Sequence, residues 1–161
     1  MMSAMTTLDW KLDQEPDQPV AFVRLEVAPG EAGTTVPKVL HRLRTWATQQ
    51  GLAATLPYGR FVQWDGATGS GIMEVGVCVD GDAPGQDDIV RGRLHGGLGA
   101  CAWHEGAYHA LPQTWKTLDA LVKAQGLQVR APGYEVYTNF FDAPPEAELR
   151  TRVVLPVEPA E

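Results

Sequence analysis

From Val20 to Val27 apolar and polar positions alternate, with Ala21, Val23, Leu25 and Val27 on one face and Arg24 and Glu26 on the other. That period predicts a half-buried strand. Pro29-Gly30 ends it, and the period then lengthens. Val36, Val39, Leu40, Leu43 and Trp46 recur at helical spacing, with a cap expected at Thr34 or Thr35 and Pro37 in the first turn, where a missing N–H costs little. Gly51 stops the helix. Two strands follow, near Gly59–Trp64 and Ile72–Val79, joined by a Gly-rich turn. After a polar stretch the same succession returns. A strand is predicted near Leu98–His104, then a helix with Pro112 in its first turn and Leu111, Trp115, Leu118, Leu121 and Val122 on its apolar face. Two strands close the chain, near Tyr134–Asn139 and Leu149–Val157.

The return is a register, not only a rhythm. A shift of 75 residues places Pro37 on Pro112, Leu40 on Trp115, Leu43 on Leu118, Gln50-Gly51-Leu52 on Gln125-Gly126-Leu127, and Pro57 on Pro132. A longer hairpin, Phe141 to Glu148, absorbs the remaining difference in the second half. The expected fold is therefore α+β: two βαββ repeats about a pseudo-two-fold axis, with antiparallel sheets covered by two helices. Residues 1–18 lack periodicity and read as an N-terminal arm. Repeat one spans 19–80, an acidic linker 81–90 (low in complexity from Asp80 to Asp88), repeat two 91–158, and 159–161 form a tail. Interfaces of this kind commonly hold pockets.

Composition narrows the function. The chain has 161 residues, 44% hydrophobic and 20% charged, which suits one globular domain with a sizeable core. Its formal net charge is −7. Nucleic-acid binding depends on Lys and Arg neutralising phosphates, so no nucleic-acid partner is expected. The short basic pairs Arg42/Arg44 and Arg91/Arg93 read as solvated surface. Cys78 and Cys101 lie in apolar stretches outside any CxxC and read as reduced, packed thiols. No apolar run approaches the ~20 residues of a membrane span, and Met1 to Gln18 is too polar for a secretory leader. A cytoplasmic location and no membrane partner are the expectations.

Metal and cofactor chemistry have little support. His104, Glu105 and His109 do not have HExxH spacing, and a strand-to-helix corner aims the two imidazoles apart. Gly69-Ser70-Gly71 is not a GxSxG elbow. Gly96-Gly97-Leu98-Gly99 lacks the Lys and helix of a phosphate loop. No metal and no cofactor are expected.

Three segments carry a resemblance. His104-Glu105-Gly106-Ala107-Tyr108 follows Ala100-Cys101-Ala102 as a strand-to-helix corner. Pro132-Gly133-Tyr134-Glu135-Val136-Tyr137 holds a Glu-x-Tyr strand. Glu148-Leu149-Arg150-Thr151 leads to Leu155-Pro156-Val157 as a closing strand. In order and spacing, over about residues 18–158, they resemble the GyrI-like small-molecule-binding family, which also supplies effector-binding domains of AraC-type and multidrug-responsive regulators. Ala107 departs from the pattern, standing where a proline is common. The resemblance implies the paired βαββ module and binding of hydrophobic, often cationic aromatic compounds. It implies a buried counter-charge that carries over to Glu135. With an arm too short for a helix-turn-helix, the chain reads as the stand-alone form: a sensor, sequestering agent or carrier.

Strand alternation puts Glu135 and Tyr137 on one face and Tyr134 and Val136 on the other. A desolvated, unpaired Glu135 carries a raised pKa and favours a cationic ligand; the bland reading is a Glu at a solvated sheet edge. Arg60 occupies the repeat-equivalent position, so it either pairs with Glu135 or faces solvent. Trp64 and Trp103 read equally as pocket walls or as core. Trp46 and Trp115, on helix faces, read as core. Tyr108 and Tyr137 offer hydroxyls that orient a ligand. Two other functions remain open through the resemblance. One is a hydrolase of strained cyclopropane-bearing toxins, with Glu135 as general base and Tyr108 or Tyr137 assisting. The other is a protein-interaction module of gyrase-inhibitor type, for which no dense acidic run speaks.

Overall fold

The computed structural model describes residues 8–161. The chain forms β1 (Trp10–Glu15), β2 (Gln18–Val27), α1 (Ala32–Gln49), β3 (Thr55–Asp65), β4 (Ser70–Cys78), β5 (Val90–Leu94) and β6 (Gly97–Glu105). It continues through α2 (Leu111–Ala124), β7 (Leu127–Val129), β8 (Tyr134–Tyr137) and β9 (Arg150–Pro159). The strands make one nine-stranded antiparallel sheet in the order β1-β6-β9-β8-β3-β4-β2-β5, with β7 on β9. The fold is α+β, a curled antiparallel sheet carrying two helices. The curl brings the two ends of the sheet together: the Gly96 N–H, in the β5–β6 turn, donates to Asp17 in the β1–β2 turn at 2.6 Å.

Both helices form where the apolar spacing predicts them. α1 buries Val36, Val39, Leu40, Leu43 and Trp46, packed with Val23 of β2 and Val75 and Val77 of β4. α2 buries Leu111, Leu118 and Val122 with Ala100 and Ala102 of β6 and Val153 and Leu155 of β9. The expected cap at Thr34 or Thr35 is not observed. The helix begins a turn earlier, at Ala32, with Glu31 as its N-cap residue, whose carboxylate accepts the Ala28 N–H at 3.1 Å. The opposite face of the sheet holds a separate apolar layer with Tyr58, Cys101, Tyr134 and Val154.

Two strands lie where a polar pattern concealed them. In the segment read as an arm, Trp10–Glu15 pairs along β6, while residues 1–7 fall outside the described ones. Trp10 packs on the α2 core, the rest of β1 is polar or exposed, and the strand is held at its end by Glu15: Arg152 of β9 grips that carboxylate with two hydrogen bonds of 2.6 Å each. β5 begins inside the segment read as a linker and pairs with β2. Its Arg91 guanidinium donates to the carbonyls of Val20, Val79, Gly81 and Ala83. A charged side chain here holds main chain together, which hydrophobic periodicity does not register.

The register at the centre of the sheet also departs from expectation. Where β3 meets β8, Gly59 lies opposite Glu135 and Arg60 opposite Tyr134. Residues directly opposite share a face. The shift of 75 that aligned Arg60 with Glu135 therefore places it one residue, and one face, wrong. A bulge in β3 between Phe61 and Gln63 then changes the alternation, so that Phe61 and Trp64 both turn toward the helices.

Candidate functional site

α1 rests on β2 and β4, and α2 on β6 and β9. Neither covers β3 and β8, which lie between them. The gap is a cavity of about 850 Å³, walled by both helices and floored by the two central strands. Its lining is mostly apolar and aromatic, including Leu40, Met73, Phe61, Trp64, Trp115 and Phe140.

Glu135 of β8 is in that lining, and its residue is 6% exposed. The Trp115 indole Nε1–H donates to one carboxylate oxygen at 2.6 Å, and the Tyr137 hydroxyl to the other at 2.9 Å. Among the described residues it takes part in no ion pair. Burial pushes its pKa up to about 7, against the opposing pull of the two hydrogen bonds. Tyr137 is raised well above the usual phenol range, first by burial and then by the neighbouring carboxylate. The geometry depends on Gly59 opposite: a Cβ there would fall 2.7 Å from the Tyr137 hydroxyl oxygen.

Tyr108 enters from the turn before α2 and meets the Tyr137 ring edge-on, with centroids 5.4 Å apart. Among the described residues its buried hydroxyl has no hydrogen-bond partner, and burial followed by the Glu135 charge pushes its pKa up to about 12. Trp64 stacks obliquely on Phe61, centroids 5.0 Å apart.

Four of the six residues singled out in the sequence thus meet in one place: Glu135, Tyr137, Tyr108 and Trp64. Two do not. Arg60 points to the opposite face, where it pairs with Glu74 of β4 at 2.9 Å. Trp103 also lies away from the cavity, beneath the Arg150 guanidinium at 4.2 Å. In β6, Ala100, Ala102 and His104 face α2, so their neighbour Trp103 faces away. His104 has both ring nitrogens engaged: Nε2–H donates to the Ala107 carbonyl at 2.9 Å, and Nδ1 accepts from the Thr114 hydroxyl at 2.8 Å. Among the described residues no group of His, Cys, Asp and Glu is placed to hold a metal ion.

Trp115 packs against the α2 core, as its position on the helix face implies, and also supplies a donor to Glu135 that the sequence does not single out. One signal was present. The repeat register sets it against Leu40, and a half-buried indole, unlike a leucine, carries an N–H that needs an acceptor. Phe140 gave no such signal, since it lies in an irregular hairpin.

A family model for the GyrI-like small molecule binding domain matches residues 10–158. The chain belongs to the GyrI-like family. That span begins at β1, so the strand hidden in the arm lies within it. This GyrI-like chain is similar in fold to the EcmrR C-terminal domain, with TM-score 0.82, 16% identity, and 96% of this chain and 100% of that one covered. Against EcmrR in a complex with DNA the TM-score is 0.85 at 16% identity, over 98% of this chain. The chain spans only 60% of that longer EcmrR chain, and the DNA complex is EcmrR's own. SAV2435 bound to tetraphenylphosphonium matches with TM-score 0.61 and 14% identity, covering 94% of both chains. A hydrolase from Listeria innocua matches with TM-score 0.67 and 10% identity, over 94% of this chain and 93% of that one. At such identities these likenesses describe the fold. A comparison with curated proteins gave no match. No helix among the described residues is long and apolar enough to cross a membrane.

Proposed function

We propose that this GyrI-like protein binds hydrophobic aromatic cations in the cavity between its two helices, with Glu135 as the counter-charge. Such a protein serves as a sensor, a sequestering agent or a carrier. One observation carries the reading: a buried, cavity-facing carboxylate with two hydrogen-bond donors and, among the described residues, no ion-pair partner. An ionised carboxylate in an apolar setting is costly until a positive charge reaches it. The aromatic lining adds surfaces on which flat rings stack and over which cations are attracted. The tetraphenylphosphonium complex of SAV2435 supports the same ligand class.

The proposal keeps the two βαββ halves as diverged repeats. The succession β2-α1-β3-β4 returns as β6-α2-β8-β9, with the short β7 added between α2 and β8, and this supports the reading, with β8 meeting β3 at the centre.

Tetraphenylphosphonium tests the reading. Trp64 and Trp115 line the cavity, so titration of the cation should quench tryptophan emission saturably, with one site per chain. Arg60→Ala should bind it within about a factor of two of the native protein, because Arg60 pairs with Glu74 on the far face and acts only through screened long-range charge. No saturable quenching would overturn the reading. A large gain in Arg60→Ala would mean that Arg60 reaches Glu135 after all.

A further inference from the structure

The cavity lining contains three charged side chains, Glu135, Lys116 and Asp119, and the titratable His109. Asp119 is paired within its own helix, with Lys123 four residues on at 2.8 Å. Glu135 and Lys116 are left, and neither has an ion-pair partner among the described residues. They occupy different depths. Glu135 is buried on the floor, and Lys116 is exposed on α2 at the mouth. The preceding residue, Trp115, is the one whose indole reaches down to Glu135. The cavity therefore has a charge axis, negative within and positive at its opening.

A ligand with a single positive charge meets attraction at the floor and repulsion at the mouth. A ligand with an ammonium inside and an anionic group outside satisfies both. Gly33, Gly66 and Gly69 line the same cavity, and a side-chain carbon on any of them would meet nothing within 4 Å among the described residues, so small residues leave that part of the wall open.

We propose that the preferred ligands are zwitterionic aromatics, whose cationic centre lies against Glu135 and whose carboxylate, sulfonate or phosphate lies at Lys116. This refines the binding function proposed above and rests on it. A rhodamine bearing a free benzoate and its ethyl ester form a matched pair, since the two dyes share the xanthene cation and differ in the anion. Both would be titrated at low salt into the native protein, Lys116→Met and Glu135→Gln, with dye anisotropy as the readout. Methionine keeps most of the apolar stem of Lys116.

The native protein should prefer the free acid by about two- to fivefold, the range for a solvent-exposed ion pair. Lys116→Met should abolish that preference without weakening the ester, and added salt should erode it in the native protein. A native preference for the ester, or an acid-to-ester ratio unchanged in Lys116→Met, would overturn the proposal. An equal gain for both dyes in Lys116→Met would also overturn it, because Lys116 would then be a competitor for Glu135. If Glu135→Gln leaves both dyes unaffected, or if neither dye binds, the failure lies in the underlying binding function, and the proposal falls with it.

Discussion

Glu135→Gln is expected to make the empty protein more stable at alkaline pH while it weakens binding of an organic cation. Burial keeps the folded-state pKa of Glu135 near 7, against 4.5 for an ordinary glutamate. Between those values the folded chain holds a proton that the unfolded chain has released, so stability falls as pH rises through that window. The stabilisation from the retained proton is fully present below about pH 4.5 and lost above about pH 7. The difference amounts to about 3 kcal/mol. Glutamine does not titrate and is close in shape. Its carbonyl can accept the Trp115 N–H, and its NH₂ can donate to the Tyr137 hydroxyl, which is free to turn and accept. Urea midpoints at about pH 5 and pH 8 should therefore diverge for the native protein and coincide for the variant. Affinity for tetraphenylphosphonium at pH 8 should fall by about 2 kcal/mol or more, roughly thirtyfold, as for a desolvated charge pair that loses one member. Native and variant proteins with the same pH dependence of stability would show that Glu135 is not buried in this way.

Trp115→Phe is expected to move the pH dependence of cation binding without lowering its ceiling. The indole N–H is one of two donors to the carboxylate, and it favours the ionised form. A hydrogen bond to a charged group contributes about 1.5–3 kcal/mol. Its loss should raise the Glu135 pKa by about one to two units. Cation affinity near neutral pH should then drop about five- to fiftyfold and recover at alkaline pH. Phenylalanine retains an aromatic face toward Phe61, whose ring meets Trp115 edge-on at 6.1 Å. A purely structural role for Trp115 would lower affinity equally at every pH, so an unmoved midpoint contradicts the assignment.

The sequence made the helices and most strands legible because their burial is periodic. Val36, Val39, Leu40 and Leu43 form a stripe wide enough to read without a structure. It hid β1 and β5, which are held by the Glu15–Arg152 pair and by Arg91 reaching four carbonyls. Alternation placed Glu135 and Tyr137 on one face, and both line the cavity. The same rule misled at Arg60, because it assumed an unbroken β3 and a repeat register correct to the residue. The bulge after Phe61 and the pairing of Gly59 with Glu135 depend on contacts across the sheet. A one-residue slip is enough to invert a face. Trp115 packs against the α2 core as its helical spacing implies, but that spacing does not show that no helix covers the strands beneath it, where its indole meets Glu135.

With Glu135 as the counter-charge, an arriving cation displaces its proton. Calorimetric titration with tetraphenylphosphonium, in buffers of differing ionisation enthalpy, counts that proton directly. Below the pKa of about 7 the empty site is mostly protonated, and a thirtyfold coupling lowers that pKa by about 1.5 units in the complex, so binding at about pH 6 should release about two-thirds of a proton per cation or more. Release should fall toward zero by about pH 9, where the carboxylate is already ionised, and affinity should rise and level off over the same interval. Binding that releases no proton at any pH, with an affinity independent of pH, would mean that Glu135 is not the counter-charge.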